Sequence, residues 1–316
     1  MDVSAASVDI PADARIGPPL DSAYNAILSE DTPAALDALR DSLRELQATL
    51  SPLAWSEAVE KARAHPLRAL LHEDPFMLRC CSKPRGIAGD SAALDFILRA
   101  RESPLRPKAR IARLHHHITH GPFSQALRFR RDFGARLIDE AAARAARPIR
   151  LLFVDGGNLR ELDRLKCSAT DAIAKLVAFD QDAHALDTVQ ADYPLRSLAT
   201  HHGSVRELAH DRRLFADMDL VCCPSLLETL PMHSAKGAVR ALFGRLAPGA
   251  SLYVSNFLTS LPEAALLEVF ADWRLALRSR AEIFELVKVL PSESVMAWSY
   301  SEDPASHVGF LTVERR

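Results

Sequence analysis

The chain has 316 residues, room for two modest domains or one large one, and 48% of them are hydrophobic, enough to bury a sizeable core. A formal net charge of −2 argues against a general nucleic-acid binder, and no apolar run is long enough to span a bilayer or to act as a secretory leader. Five cysteines, two adjacent pairs (Cys80-Cys81, Cys222-Cys223) and Cys167, make no disulfide framework, so the expectation is a reduced, cytoplasmic protein.

Residues 1–20 hold three prolines with little periodicity and read as a loose tail. From 21 to 147 the apolar positions recur three and four apart, predicting a helical N-terminal domain that ends in a long amphipathic helix over 123–146. Pro148 marks the boundary. Over 148–316 short apolar runs alternate with helical patterns, which predicts an α/β doubly wound fold with buried parallel strands. The strands are expected near 149–154, 174–179, 196–201, 218–223 and 250–256, with two more near 283–290 and 307–314.

Two of these runs carry the strongest chemical signal. LLFVDGGNLREL (151–162) breaks on Asp155-Gly156-Gly157, and KLVAFDQDAHAL (175–186) ends on Asp180, 25 positions beyond Asp155. This is the layout of a βαβ unit whose first turn admits a ligand against backbone and whose second strand offers a carboxylate to a ribose. Without a full GxGxxG the loop is not a pyrophosphate cradle. Each residue also has a plain reading: Asp180 as a helix cap, Gly156-Gly157 as a tight turn, Asp155 as a turn acid. Glu228 and Asn256 follow the fourth and fifth strands, where substrate groups meet a cofactor in such folds, and Trp273 reads as core. His116 and His120 share a helical face without an acid or cysteine to complete a metal set, so no metal is expected. Residues 101–150 carry 12 Lys/Arg against 4 Asp/Glu, which reads as a solvated helical face.

A wider resemblance joins these segments. HPLRALLHEDPFMLRCCSKPRGIAGDSAALDFIL (65–98) resembles the "HPL…EDPFTRRAxxKPRGYAGDA" segment of a bacterial S-adenosylmethionine (SAM)-dependent methyltransferase family whose members make 3-hydroxypalmitic acid methyl ester, a quorum signal. VDGGNLREL is similar to the family's "xACGHLRE", AFDQD to "ALDQD", HGSVREL (202–208) to "xGSVRxL", and DLVCCPSLLETLP to "DLVYxxGLYDYL". SNF and ADWRLALRS (271–279) look like "ANF" and "xxWxLxYR". The resemblance implies a Rossmann-like class I sheet of seven strands, the last hairpin antiparallel, beside a helical N-terminal domain. It implies SAM as cofactor: Gly156 and Gly157 under its methionine part, Asp155 near its ammonium, Asp180 and Gln181 at the ribose, Ser204 and Val205 about the adenine. Lys83 through Asp90 would close over the site, with Arg85 on the SAM carboxylate. Glu228, Asn256 and Arg85 are the implied catalytic residues.

Several aromatic hydroxyls of the family pattern are missing: its Tyr in KPRGYAGD is Ile87, its "LYDYL" is Leu227-Glu228-Thr229-Leu230, and its "YR" is Leu277-Arg278. That leaves three readings: methyl transfer to a small or acyl, carboxylate-type metabolite; intramolecular cyclisation of SAM to azetidine-2-carboxylate with release of methylthioadenosine; or SAM binding without catalysis. The expected partner is a small-molecule substrate, with no nucleic acid and no membrane; a homodimer is compatible with the sequence.

Overall fold

A computed structural model describes residues 12–29, 31–99, 109–211 and 214–316. They fall into two compact units. The first draws on Met1–Gly89, Arg101–Gly121 and Pro262–Arg274; the second on Asp90–Ala100, Pro122–Leu261 and Leu275–Arg316.

The first unit is helical. Its helices are Ala12–Leu28, Thr32–Thr49, Pro52–Ala64, Leu67–Leu71, Pro75–Ser82, Ala109–His120 and Ala264–Phe270. The first begins inside the stretch read as a loose tail, and Pro18 and Pro19 lie within it. The reason is tertiary: Ile16, Leu20, Ala23 and Ile27 form one buried stripe against the next helices, and that burial outweighs the backbone bonds the prolines remove. Residues 1–11 of the expected tail lie outside the described residues. Two segments 189 positions apart meet in this unit: Lys83 Nζ reaches Asp272 at 2.5 Å, and Arg63 Nη2 bonds the other oxygen of that carboxylate at 2.6 Å. A Cβ on Gly89, whose φ is +64°, would lie 2.2 Å from the ring of Trp273, so only glycine permits the indole to pack there. Trp273 is buried, as its core reading requires. The His116 and His120 rings stack at 4.0 Å.

The second unit is built on a seven-stranded sheet. Its strands are β1 (Ile149–Val154), β2 (Ile173–Asp180), β3 (Leu198–His202), β4 (Met218–Cys223), β5 (Leu246–Phe257), β6 (Val295–Glu302) and β7 (Val308–Arg315), in the spatial order β3-β2-β1-β4-β5-β7-β6. The first five pair in parallel; β7 runs antiparallel to both β5 and β6. Leu152, Val177, Val221, Leu252 and Val313 form a buried row across the sheet, because strands covered on both faces need apolar residues on both. The Met232–Phe243 helix packs on β5 over one face.

Two boundaries differ from the sequence expectation. Residues 283–290 are not a strand: Arg280–Val287 is a helix, started by a capping box of Ser279 and Glu282, and the strand follows at 295–302. The apolar run IFELVKV fits either period, and the box four residues upstream decides it. The units also do not divide at 147. The Pro122–Arg144 helix belongs with the sheet, packing on β4, whereas 262–274 joins the helical unit. Among the described residues no helix is long and apolar enough to cross a membrane.

In the helical unit Asp74 is fully buried, accepts the Met77 N–H at 2.8 Å as N-cap of Pro75–Ser82, and pairs with His115 Nδ1 at 2.6 Å. Asp74→Ala removes both bonds at once, and we expect a loss of about 2 kcal/mol of stability, read as a lower urea midpoint at unchanged m-value.

Candidate functional site

Parallel pairing of β1 with β2 sets the site. Val154 lies opposite Phe179, so Asp155, just after β1, and Asp180, the last residue of β2, emerge side by side at one edge of the sheet. The Asp155 N–H extends the ladder to the Phe179 carbonyl at 2.9 Å, and the Ser225 hydroxyl donates to the Asp155 carbonyl at 3.1 Å. Asp155 holds φ +55° and Gly157 φ +56°, a winding that turns the chain sharply out of the strand. A Cβ on Gly156 would lie 2.6 Å from Leu159 Cδ2 and 3.1 Å from Phe153 Cδ1, so any larger residue there has to displace those buried side chains.

The turn delivers the Gly157 N–H to one carboxylate oxygen of Asp180 at 3.1 Å; the Asp182 N–H takes the other at 2.9 Å. Asp180 is thus buried and fixed in orientation, with lone pairs left on both oxygens. Burial holds its pKa above the usual carboxylate range in spite of these two bonds. Burial, with the neighbouring carboxylates Asp180 and Glu228, pushes Asp155 up to about 7.

A buried polar clasp supports the loop. Asn158 Nδ2 donates to Asp95 at 2.9 Å, and its Oδ1 has no hydrogen-bond donor. Arg160 forks onto both Asp95 oxygens, at 2.7 and 2.6 Å, and reaches Asp192 at 2.6 Å. Asp90 is buried and caps the Ser91–Leu98 helix through the Ala93 N–H at 2.8 Å, and a Cβ on Gly157 would come within 3.1 Å of Ser91 Cβ. The start of that helix therefore abuts the glycine turn.

Glu228 sits beyond β4 and is buried against Arg130, which donates to it at 2.8 Å and lies 4.9 Å over the Phe257 ring. Burial nonetheless holds the Glu228 pKa above its ordinary value. Asn256 is occupied structurally: its Nδ2 donates to the carbonyls of Phe257 at 2.7 Å and Ala276 at 2.9 Å, and its Oδ1 accepts from Arg278. Arg278 also donates to the carbonyls of Leu227 at 2.6 Å and Leu230 at 2.7 Å. Ser204 heads the Val205–His210 helix after β3, with its hydroxyl 3.4 Å from Glu207; Val205 packs on the core, and Gln181 is exposed beside Asp180. Arg85 lies in the other unit, half-buried in the turn after Pro75–Ser82. Burial pushes the Cys222 and Cys223 thiols on β4 well up, which suits inert core residues.

The structure therefore brings Asp155, Gly156, Gly157 and Asp180 together. It adds Asn158, Arg130, Asp95 and Arg160, which were not singled out from sequence. A lone acid inside the apolar AALDFIL and a buried arginine on an amphipathic helix were the available signals.

No family model matches the chain, and no curated protein matches it. Solved structures do match. A structure described as a possible exported protein from Bordetella parapertussis superposes with a TM-score of 0.58 at 15% identity, over 99% of each chain. The CurJ carbon methyltransferase superposes with a TM-score of 0.53 at 12% identity, over 96% of this chain and 91% of its own. Together with the strand order, these matches show an α/β, Rossmann-like fold with N-terminal helices, shared with the CurJ carbon methyltransferase.

The Asp155 carboxyl predicts a pH signature. An aspartate in the unfolded chain ionises near 4, about three units below its folded value. Between pH 4 and about 7 the folded state keeps a proton that the unfolded state has lost, so stability falls as pH rises through that window. Asp155→Asn should gain over the wild type, little at pH 4 and on the order of 2 kcal/mol at pH 8, in denaturation curves taken across the range.

Proposed function

We propose that the chain binds SAM at the edge of the sheet formed by the ends of β1, β2 and β3, and transfers its methyl group to a small or acyl, carboxylate-type metabolite. The observation that carries this reading is the Asp180 carboxylate, buried at the end of β2 and fixed by the Gly157 N–H at 3.1 Å. The residues present suit such a ligand. Asp180 keeps two free acceptor positions for a ribose diol. Asn158 offers a buried Oδ1 without a donor, and Asp155 offers a carboxyl, both suited to an ammonium group. The loop has no run of N–H groups for a pyrophosphate, which disfavours a dinucleotide.

When bound, SAM supplies a sulfonium-activated methyl carbon. The protein has to orient the acceptor in line and exclude water. A carboxylate acceptor needs no base. In that case Glu228, paired with Arg130, serves as a fixed wall of the site.

A second reading, cyclisation of SAM, has one observation in its favour. The Asp155 carboxyl, held near 7, is matched to take a proton from the α-ammonium of SAM. The freed amine would then displace the sulfonium sulfur from Cγ, forming azetidine-2-carboxylate and methylthioadenosine. We place either reaction in a reducing, cytoplasmic compartment, on the strength of five free cysteines.

Incubation of the purified protein with SAM alone, followed by mass spectrometry, separates the two. Methylthioadenosine with azetidine-2-carboxylate above the spontaneous background establishes cyclisation. Intact SAM, with S-adenosylhomocysteine formed only on adding apolar or carrier-bound carboxylic acids, establishes methyl transfer. Binding with no product from any of these leaves a SAM-binding protein. In each case Asp180→Ala should weaken SAM by about a hundredfold in calorimetry, the loss of two hydrogen bonds to a charged acceptor at about 1.5 kcal/mol each. An undiminished affinity would remove SAM from this edge of the sheet.

A further inference from the structure

We infer that the outer side of β6 docks a second copy of this chain, the two β6 strands pairing antiparallel about a twofold axis so that the sheets join. β6 closes the sheet order, and β7 occupies only one of its sides. A strand so placed presents a row of N–H and C=O groups along its open side, and another extended strand is what meets that row. Among the described residues the main chain of 295–302 bonds only to β7.

Sheet edges are normally blunted by short strands, lysine, proline or bulges. The other edge follows that pattern: β3 has five residues, two of them His201 and His202. β6 has eight, VMAWSYSE, without lysine or proline, and its one register irregularity lies near its start, between Val295 and Ala297. Met296 is 51% exposed and Trp298 46%. Among the described residues of the sheet unit, no other large apolar side chain is as open to solvent. An exposed methionine and tryptophan on an open strand mark an interaction surface. Trp298 is also steadied. Phe284, on the Arg280–Val287 helix, meets both Trp298 and Tyr300 edge-on at 5.2 Å, and the Arg280 guanidinium lies 5.0 Å over the Tyr300 ring. An indole held in this way has less rotamer freedom to lose on docking.

The pattern of the strand selects its partner. In an antiparallel pair centred on Trp298, the two indoles meet at the axis, and Met296 of each copy faces Tyr300 of the other, a thioether against an aromatic ring. Each end of the strand carries one acid and one arginine. Glu293 and Arg316 flank the start, where the Arg316 N–H bonds the Ser294 carbonyl at 2.8 Å. Glu302 and Arg280 stand at the finish, 3.7 Å apart. Antiparallel pairing brings the start of one strand to the finish of the other, so each acid gains an arginine of the second copy as neighbour. Glu302 is the single charge within the strand, and this register sets it opposite Ser294, so no like charges are directly paired. Apolar residues at the centre and balanced charges at both ends make β6 its own complement, which is what an isologous twofold contact requires. The surface lies at the far end of the sheet from β1, β2 and β3, and the inference is independent of the SAM reading.

Sedimentation velocity of the full chain at about 1 to 100 µM tests it, because a dimer grows with concentration. Trp298→Lys sets two like charges at the axis and should weaken the dimer about a hundredfold. That side chain is half exposed, so the fold should survive, and circular dichroism checks it; any affinity for SAM should be unchanged. Trp298→Cys should cross-link the two copies under mild oxidation, beyond any background from the wild type, because the axis sets this position opposite itself. A chain that stays monomeric at about 100 µM overturns the inference and leaves the edge to a strand of another kind. A dimer that Trp298→Lys leaves intact overturns the docking edge. A Trp298→Cys dimer that fails to cross-link overturns the twofold register.

Discussion

One carboxylate, that of Asp180, organises the edge of the sheet where the parallel strands end. The pairing of β1 with β2 places it beside the turn that leaves β1, and the Gly157 and Asp182 N–H groups each take one of its oxygens. Two backbone donors and a buried setting fix the acid far more firmly than a surface rotamer could be held. They leave half of its acceptor capacity unused. An acid so held is pre-organised for a pair of hydroxyls, and the rotamer entropy of recognition is spent during folding instead of at binding.

The same edge concentrates negative charge. Burial raises the proton affinity of Asp155, Asp180 and Glu228, Asp155 is raised further by the other two carboxylates, and Arg130 answers only Glu228 directly. A cationic ligand would relieve what remains, and a pyrophosphate would aggravate it. This electrostatic logic, more than the fold, separates a sulfonium-and-ammonium ligand from a dinucleotide.

Around the acids runs a set of buried ionic contacts: Arg160 on Asp95, Arg130 on Glu228, and Arg278 across Asn256 and three carbonyls. Buried pairs of this kind contribute little net stability, since desolvation offsets most of their attraction. Their effect here is positional. Arg160 locks the Ser91–Leu98 helix to the glycine turn, and Arg130 locks the Pro122–Arg144 helix to the loop after β4.

Local pattern was enough to read the core of the fold. The runs at 149–154 and 218–223 are strands with the expected limits, because a strand buried on both faces has to be apolar throughout and a turn has to break it. The neighbouring acids Asp155 and Asp180 were legible for the same reason, since both follow such runs. Where a segment's fate depended on distant partners, pattern failed. Residues 12–20 look too rich in proline for a helix until Ile16 and Leu20 are buried against other helices. IFELVKV reads as well as a strand until Ser279 caps it. The pairing of Arg130 with Glu228 spans 98 positions and that of Arg160 with Asp95 spans 65, and no local period records either. Sequence by itself determined which short runs must be buried and where the chain must turn, because those are costs paid residue by residue. Only the tertiary structure decided which charges meet, because a buried charge takes its partner from whatever the packing of distant elements brings within reach.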